Sequence, residues 1–196
     1  MMSFMRSLFS LLAIVALGAL GTSSLPAHAA KYTLDPNHTF ASFEISHFGI
    51  STIRGRFDRK EGSVEFDREA KTGKIAITID TTSINTGVPF FDRILLGSAL
   101  FDTATYPTAK FASDKLVFEG DNVTEVTGNF TLLGKTLPLT LKAVNFGCRT
   151  TALTRQEICG GDFEATFDRS TYGMNYAVNF GMSKTVKLVI QIEAIK

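Results

Sequence analysis

From residue 31 onward, apolar and polar residues alternate in short runs. Phe43, Ile45 and His47 share one parity, as do Ile75, Ile77 and Ile79, Leu116 and Phe118, and Leu137, Leu139 and Leu141. Phe163, Ala165 and Phe167 continue the pattern, and Val186, Leu188, Ile190 and Ile192 close it. A period of two places successive side chains on opposite faces, so each run predicts a half-buried β-strand. Turn-like clusters separate the runs: Arg59-Lys60-Glu61-Gly62, Lys71-Thr72-Gly73, Glu119-Gly120-Asp121-Asn122 and Leu133-Gly134-Lys135. Links this short join antiparallel neighbours, because parallel strands need crossover helices.

One segment changes period. In PFFDRILLGSALFDTAT, from Pro89 to Thr105, Phe91, Ile94 and Leu95 recur at helical spacing, as do Leu96 and Leu100. This predicts one or two short helical turns, ended by Pro107, with extended structure resuming at Lys110. Seven or more antiparallel strands with one helical insertion predict an all-β fold closed into a barrel, since closure removes exposed strand edges. A two-sheet sandwich is the competing architecture. A barrel of about eight strands is either filled by its own side chains or holds one ligand.

The N-terminus belongs to a different class of segment. MMSFMRSLFSLLAIVALGALGTSSLPAHAA has one Arg, an apolar run from Leu8 to Leu20 and small residues at Ala27 and Ala29. It reads as a cleavable signal peptide over residues 1–29, leaving residues 30–196 as a single exported domain. The apolar run is shorter than the roughly 20 residues of a membrane span, and no later stretch is long enough to be one. A net charge of +1, with acidic and basic residues interleaved, offers no footprint for nucleic acid. Seventeen Phe, four Tyr and no Trp suit a dry interior, because Phe carries no polar handle. Cys148 and Cys159, the only cysteines, read in an oxidising compartment as a disulfide rather than a redox or metal centre.

Catalytic chemistry is sparse. Beyond the signal segment the histidines are His38 and His47, nine positions apart, which on one strand face opposite sides and cannot share a metal. There is no H-E-x-x-H, cysteine cluster, calcium loop, G-x-S-x-G elbow or phosphate-cradling glycine loop. No catalytic or metal-binding residue is therefore assigned, and no cofactor is expected. His47 reads as the polar end of an apolar wall formed with Phe43 and Ile45.

These residues resemble the YceI-like family of periplasmic polyisoprenoid-binding proteins. The likeness rests on Tyr32-Thr33-Leu34-Asp35 with His38, on Phe43-Glu44-Ile45-Ser46-His47-Phe48-Gly49, and on Gly55-Arg56-Phe57 leading to Gly62-Ser63-Val64-Glu65-Phe66-Asp67. It continues through Phe101-Asp102, Tyr106-Pro107-Thr108-Ala109-Lys110-Phe111, Val126 to Leu132, Gly134-Lys135-Thr136 and Pro138-Leu139. The run from Phe167 to Tyr176 and the two cysteines resemble one subgroup, in which the pair staples a hairpin. The insertion departs from the family pattern Arg-Asp-x-His-Leu-Arg: Ile94 and Leu96 stand where His and Arg are expected.

The resemblance implies a closed, eight-stranded, lipocalin-like antiparallel barrel whose apolar pore holds an isoprenoid chain, with a periplasmic location. Candidate pore-lining residues from the alternation are Phe43, Ile45, His47, Phe57, Phe66, Ile75, Ile77, Ile79, Phe130 and Leu132, with Phe91, Leu95 and Leu100 as lid or mouth. Burying apolar ligand surface gains about 25 cal/mol per Å², so a long chain needs no charged anchor. The expected ligand is a polyisoprenoid such as a quinone, a quinone precursor or a similar amphiphile. A transient membrane or membrane redox partner and a second copy of the chain complete the expected partners. Two rival readings remain open: an enzyme using the same cavity with His47 as base, and a ligand-free partner of a membrane redox or stress system.

Overall fold

A computed structural model describes residues 29–196. Apart from Ala29, the expected signal peptide lies outside the described residues. Eleven strands follow in order: β1 (Ala30–Leu34), β2 (Phe40–His47), β3 (Ser51–Phe57), β4 (Lys60–Asp67), β5 (Thr72–Asp80), β6 (Ile84–Asn85), β7 (Thr108–Glu119), β8 (Asn122–Leu132), β9 (Lys135–Thr150), β10 (Glu157–Asp168) and β11 (Thr185–Ile195). One α-helix, α1 (Pro89–Leu96), lies between β6 and β7.

Eight of these strands form a closed antiparallel ring, β1-β4-β5-β7-β8-β9-β10-β11, sealed by the pairing of β1 with β11. This is the expected eight-stranded barrel. The other three prolong it at one end: β2 pairs with β11, β3 with β2 and β6 with β3. β1 and β2 occupy successive stretches of the same β11 edge, with Leu34 opposite Ala194 and Phe40 opposite Gln191. The line breaks at Pro36, which has no N–H to give to a ladder. Thr39 repairs the gap, its hydroxyl donating to the Glu193 carbonyl at 3.1 Å and accepting from the Glu193 N–H at 3.2 Å.

Two sequence-based expectations need correction here. His38 lies in the turn before β2 rather than on the strand with His47, and its Nδ1 is 2.7 Å from Asp35 Oδ2. Arg59-Lys60-Glu61-Gly62 is not a turn, because Lys60, Glu61 and Gly62 already pair with Ile79, Thr78 and Ile77 of β5. By contrast, Leu133-Gly134 is a two-residue hairpin turn between Leu132 and Lys135, with φ of 51° and 70°. Both angles are positive, as a type I′ turn requires.

The inward rows are set by register. Ile190 lies opposite Phe163 on one side and Ala41 on the other, and Leu188 opposite Ala165 and Phe43. In-phase pairing puts these side chains on one face, the barrel interior. One end is sealed by aromatic packing: Phe66 stacks on Phe118 at 5.9 Å between centroids and meets Phe146 edge-on at 5.7 Å. Tyr32 is buried beside them, its hydroxyl donating to Glu157 Oε2 at 2.9 Å. Burial first, and that bond second, push its pKa up to about 12, so it stays a donor. Cys148 and Cys159 are bonded across β9 and β10 near the same end.

Candidate functional site: an apolar cavity with one aromatic mouth

The barrel encloses a cavity of about 410 Å³, within the range of roughly 300–1,000 Å³ usual for small-ligand sites. Phe43, Ile45, His47, Phe57, Ile77, Ile79, Phe91, Leu95, Leu100, Phe130 and Leu132 all line it. Phe66 and Ile75 instead line a smaller cavity of about 70 Å³ toward the sealed end. Ile77, Phe111, Leu141, Ile190 and Ile192 border both spaces and so form the partition between them. Along β11 the apolar column runs from Val186 to Ala194, roughly 26 Å at the usual strand rise.

The mouth is defined by side chains that face both the cavity and solvent. Phe48, Phe91, Ile94 and Tyr176 line the cavity and are 43%, 41%, 37% and 52% exposed. They come from the β2–β3 turn, from α1 and from the loop before β11. Pro89 starts α1 at a position where a missing N–H costs nothing, and Gly97 ends it. Asp92 ties the helix back to the strand loop, accepting from Thr86 N at 2.8 Å and Thr86 Oγ1 at 2.7 Å. Phe91 thus sits at the mouth, whereas Leu95 is half-buried against both core clusters and Leu100 is 8% exposed and belongs to the main one.

Periodicity pointed to the strands but not to every wall residue. Phe101, Phe111, Leu139, Leu141, Phe167, Val186, Leu188, Ile190 and Ile192 also line the cavity. Most share a parity already visible in the alternation, so the signal that found Ile77 would have found them. Arg169 carried no such signal.

The polar lining is one-sided. Thr39, His47, Lys60, Arg169 and Tyr176 reach the cavity, and no Asp or Glu does. Lys60 Nζ donates to the Pro36 carbonyl at 2.9 Å and lies 5.0 Å above the Phe40 ring. Burial pushes its pKa down. Arg169 is only 2% exposed. Its guanidinium donates to three backbone carbonyls, Nε to Ser183 at 2.8 Å, Nη1 to Met174 at 2.9 Å and Nη2 to Tyr176 at 2.8 Å. No carboxylate among the described residues forms an ion pair with it. Burial pushes the Arg169 pKa down, and the charge of neighbouring Asp168 acts in the opposite direction.

The His47 ring packs edge-on against Phe48 at 4.5 Å and makes no hydrogen bond within the described residues. Among the described residues, none orients the His47 ring in the way a paired catalytic base is oriented. Elsewhere Asp35, His38 and Glu193 bring ligand atoms within 4.8 Å of one another. Both Asp35 oxygens are already engaged, Oδ1 by Asn37 N and Oδ2 by His38.

Fold and site together define an antiparallel barrel closed around an apolar interior, the architecture of ligand-enclosing barrels. Residues 32–194 match the YceI-like domain, and the chain belongs to that family. A UPF0312 protein of Enterobacter sp. is 32% identical over 189 residues, covering 93% of this chain and 95% of its own. A UPF0312 protein of Pseudomonas aeruginosa is 32% identical over 188 residues, covering 94% and 97%. Among solved structures, Burkholderia cenocepacia BcnA superposes with a TM-score of 0.64 at 21% identity, over 82% of this chain and 98% of its own. A polyisoprenoid binding domain from Saccharophagus degradans, implicated in plant cell wall breakdown, gives 0.60 at 18% identity, over 86% and 99%.

Proposed function

We propose that this protein is exported to the periplasm and there holds a long-chain polyisoprenoid in the barrel for carriage or storage. A quinone, a quinone precursor or a similar amphiphile is the class of ligand. The observation that carries this reading is the apolar cavity inside the barrel, rimmed by exposed aromatic side chains. Its walls are Phe, Ile, Leu and Val from six of the eight strands of the ring, which suits a chain recognised by burial rather than by hydrogen bonds. The structural likeness to a polyisoprenoid binding domain supports the same ligand class.

The protein does no chemistry on its ligand in this reading. His47 without an orienting partner supports carriage over turnover. Exposed Phe90 and Phe180 lie on α1 and on the loop before β11, the same two elements that supply mouth residues. They suit brief contact with a membrane surface where a lipid is collected or released. The deciding experiment is solvent extraction of protein purified from its own compartment, followed by mass spectrometry. A stoichiometric isoprenoid is expected, and protein that carries no apolar molecule under any growth condition would refute the proposal.

A further inference from the structure

The apolar walls account for a lipid tail, but they leave Arg169 unexplained. A guanidinium that is 2% exposed and lines an apolar cavity loses most of its hydration, and buried charges are normally paired with an opposite charge. Three backbone carbonyls satisfy three of its five N–H groups, leaving one on each terminal nitrogen without a protein acceptor among the described residues. Carbonyls supply dipoles, not a compensating negative charge. The cavity lining adds a second cation, Lys60, and no acid at all.

The position of Arg169 matters as much as its charge. Its Nη2 holds the carbonyl of Tyr176, a mouth residue, and its Nη1 holds that of Met174, which also lines the cavity. Arg169 follows β10 directly, and Asp168 pairs with Thr185 at the first residue of β11, the mouth end of the apolar column. An amphiphile that enters tail first therefore leaves its head beside this guanidinium. The two remaining N–H groups lie on the fork that pairs with carboxylate or phosphate oxygens.

We infer that Arg169 anchors the ligand head, and that the cavity selects amphiphiles whose apolar tail ends in an anionic carboxylate or phosphate. The inference rests on the lipid-binding reading above and narrows it from apolar chains in general to anionic ones. The three carbonyl bonds are part of the device, since they hold the guanidinium in a fixed orientation before the ligand arrives.

The test uses delipidated full barrel and two ligand pairs with matched tails: geranylgeranyl phosphate against geranylgeraniol, and palmitic acid against hexadecanol. In the wild-type protein the anionic member of each pair is expected to bind more tightly by on the order of tenfold or more, as a charge-assisted contact allows. In Arg169→Gln that ratio falls toward one, and Arg169→Lys retains part of it. Loss of the carbonyl bonds can itself unfold the loop, so Ala177→Asp provides a second variant. Ala177 lines the cavity next to Tyr176 with a φ of 57°, a conformation that Asp tolerates, and its carboxylate would compete for Arg169. The ratio falls there too.

Equal binding within each wild-type pair overturns the anionic selection while leaving lipid binding standing. An undiminished ratio in folded Arg169→Gln, or in Ala177→Asp, overturns the assignment to Arg169. Failure of all four probes to bind overturns both this inference and the lipid-binding reading beneath it. Selection confined to phosphate, or to carboxylate, identifies which anionic head the fork accepts and sustains the inference.

Discussion

At the residue scale, Gly62 and Arg169 show how single positions escape pattern reading. Gly62 reads as a turn residue in Arg59-Lys60-Glu61-Gly62, yet it sits within β4 opposite Ile77. A Cβ there would lie 2.4 Å from the Ala76 carbonyl oxygen and 3.0 Å from Ile77 Cα, so glycine marks a close backbone approach. Gly62→Ala should lower stability by about 1–3 kcal/mol, the usual cost of overpacking, measured as a shift in urea midpoint. Arg169 was illegible for another reason: hydropathy assigns every arginine to solvent, and only the folded loop shows it buried. The Asp35–His38 pair supports a pH prediction. The hydrogen bond to Asp35 raises the His38 pKa above 6.5, and the same bond lowers that of Asp35 below 3.8. The pair therefore stabilises the fold between these limits. Its contribution is lost as pH rises through the folded pKa of His38, and equally as pH falls through that of Asp35. An NMR titration should find His38 above its ordinary value, and Asp35→Asn should lower it toward that value, with Glu193 still acting to raise it. An unshifted His38 in the wild-type protein would contradict the pairing.

At the element scale, alternation identified the strands and helical spacing identified the insertion, because both follow from which face must be buried. Phe91, Ile94 and Leu95 at helical spacing correspond to α1, and Pro89 and Gly97 mark its limits. Neither signal could show that β1 and β2 are two pieces of one strand line. That depends on Thr39 bonding Glu193 from 154 positions away, and a local pattern carries no information at that range. The β9–β10 hairpin shows what a covalent tie adds. Cys148 and Cys159 are directly opposed and 11 residues apart, a loop whose closure contributes roughly 3 kcal/mol in the chain-entropy model. Replacing both cysteines by Ala should lower the unfolding free energy by about that amount, with the loss seen equally when the wild-type protein is reduced. Identical denaturation curves with and without reductant would show that strand pairing alone fixes the hairpin.

For the whole molecule, the division of the interior into two spaces sets how long a ligand the barrel can take. The larger space opens at the mouth, and the smaller one is lined by Tyr32, Phe66 and Cys159 near the sealed end. Phe111 belongs to the partition, is buried at 6% exposure and lies opposite Phe130 on β8 and Ile77 on β5. A tail longer than the first space must displace this partition before it reaches the second, and displacement of close-packed side chains carries an energetic cost. Phe111→Ala removes the ring and should join the two spaces. The variant should lose about 3–5 kcal/mol of stability as the free protein, the usual cost of truncating a core Phe. If tails run along the barrel axis, its affinity should shift toward longer chains. Comparing farnesol, geranylgeraniol and a longer prenol by calorimetric titration would measure the preference in both proteins. A variant that loses stability but keeps the wild-type order of chain lengths would show that the sealed end is never used. Ligand length would then be set by the mouth-side cavity alone.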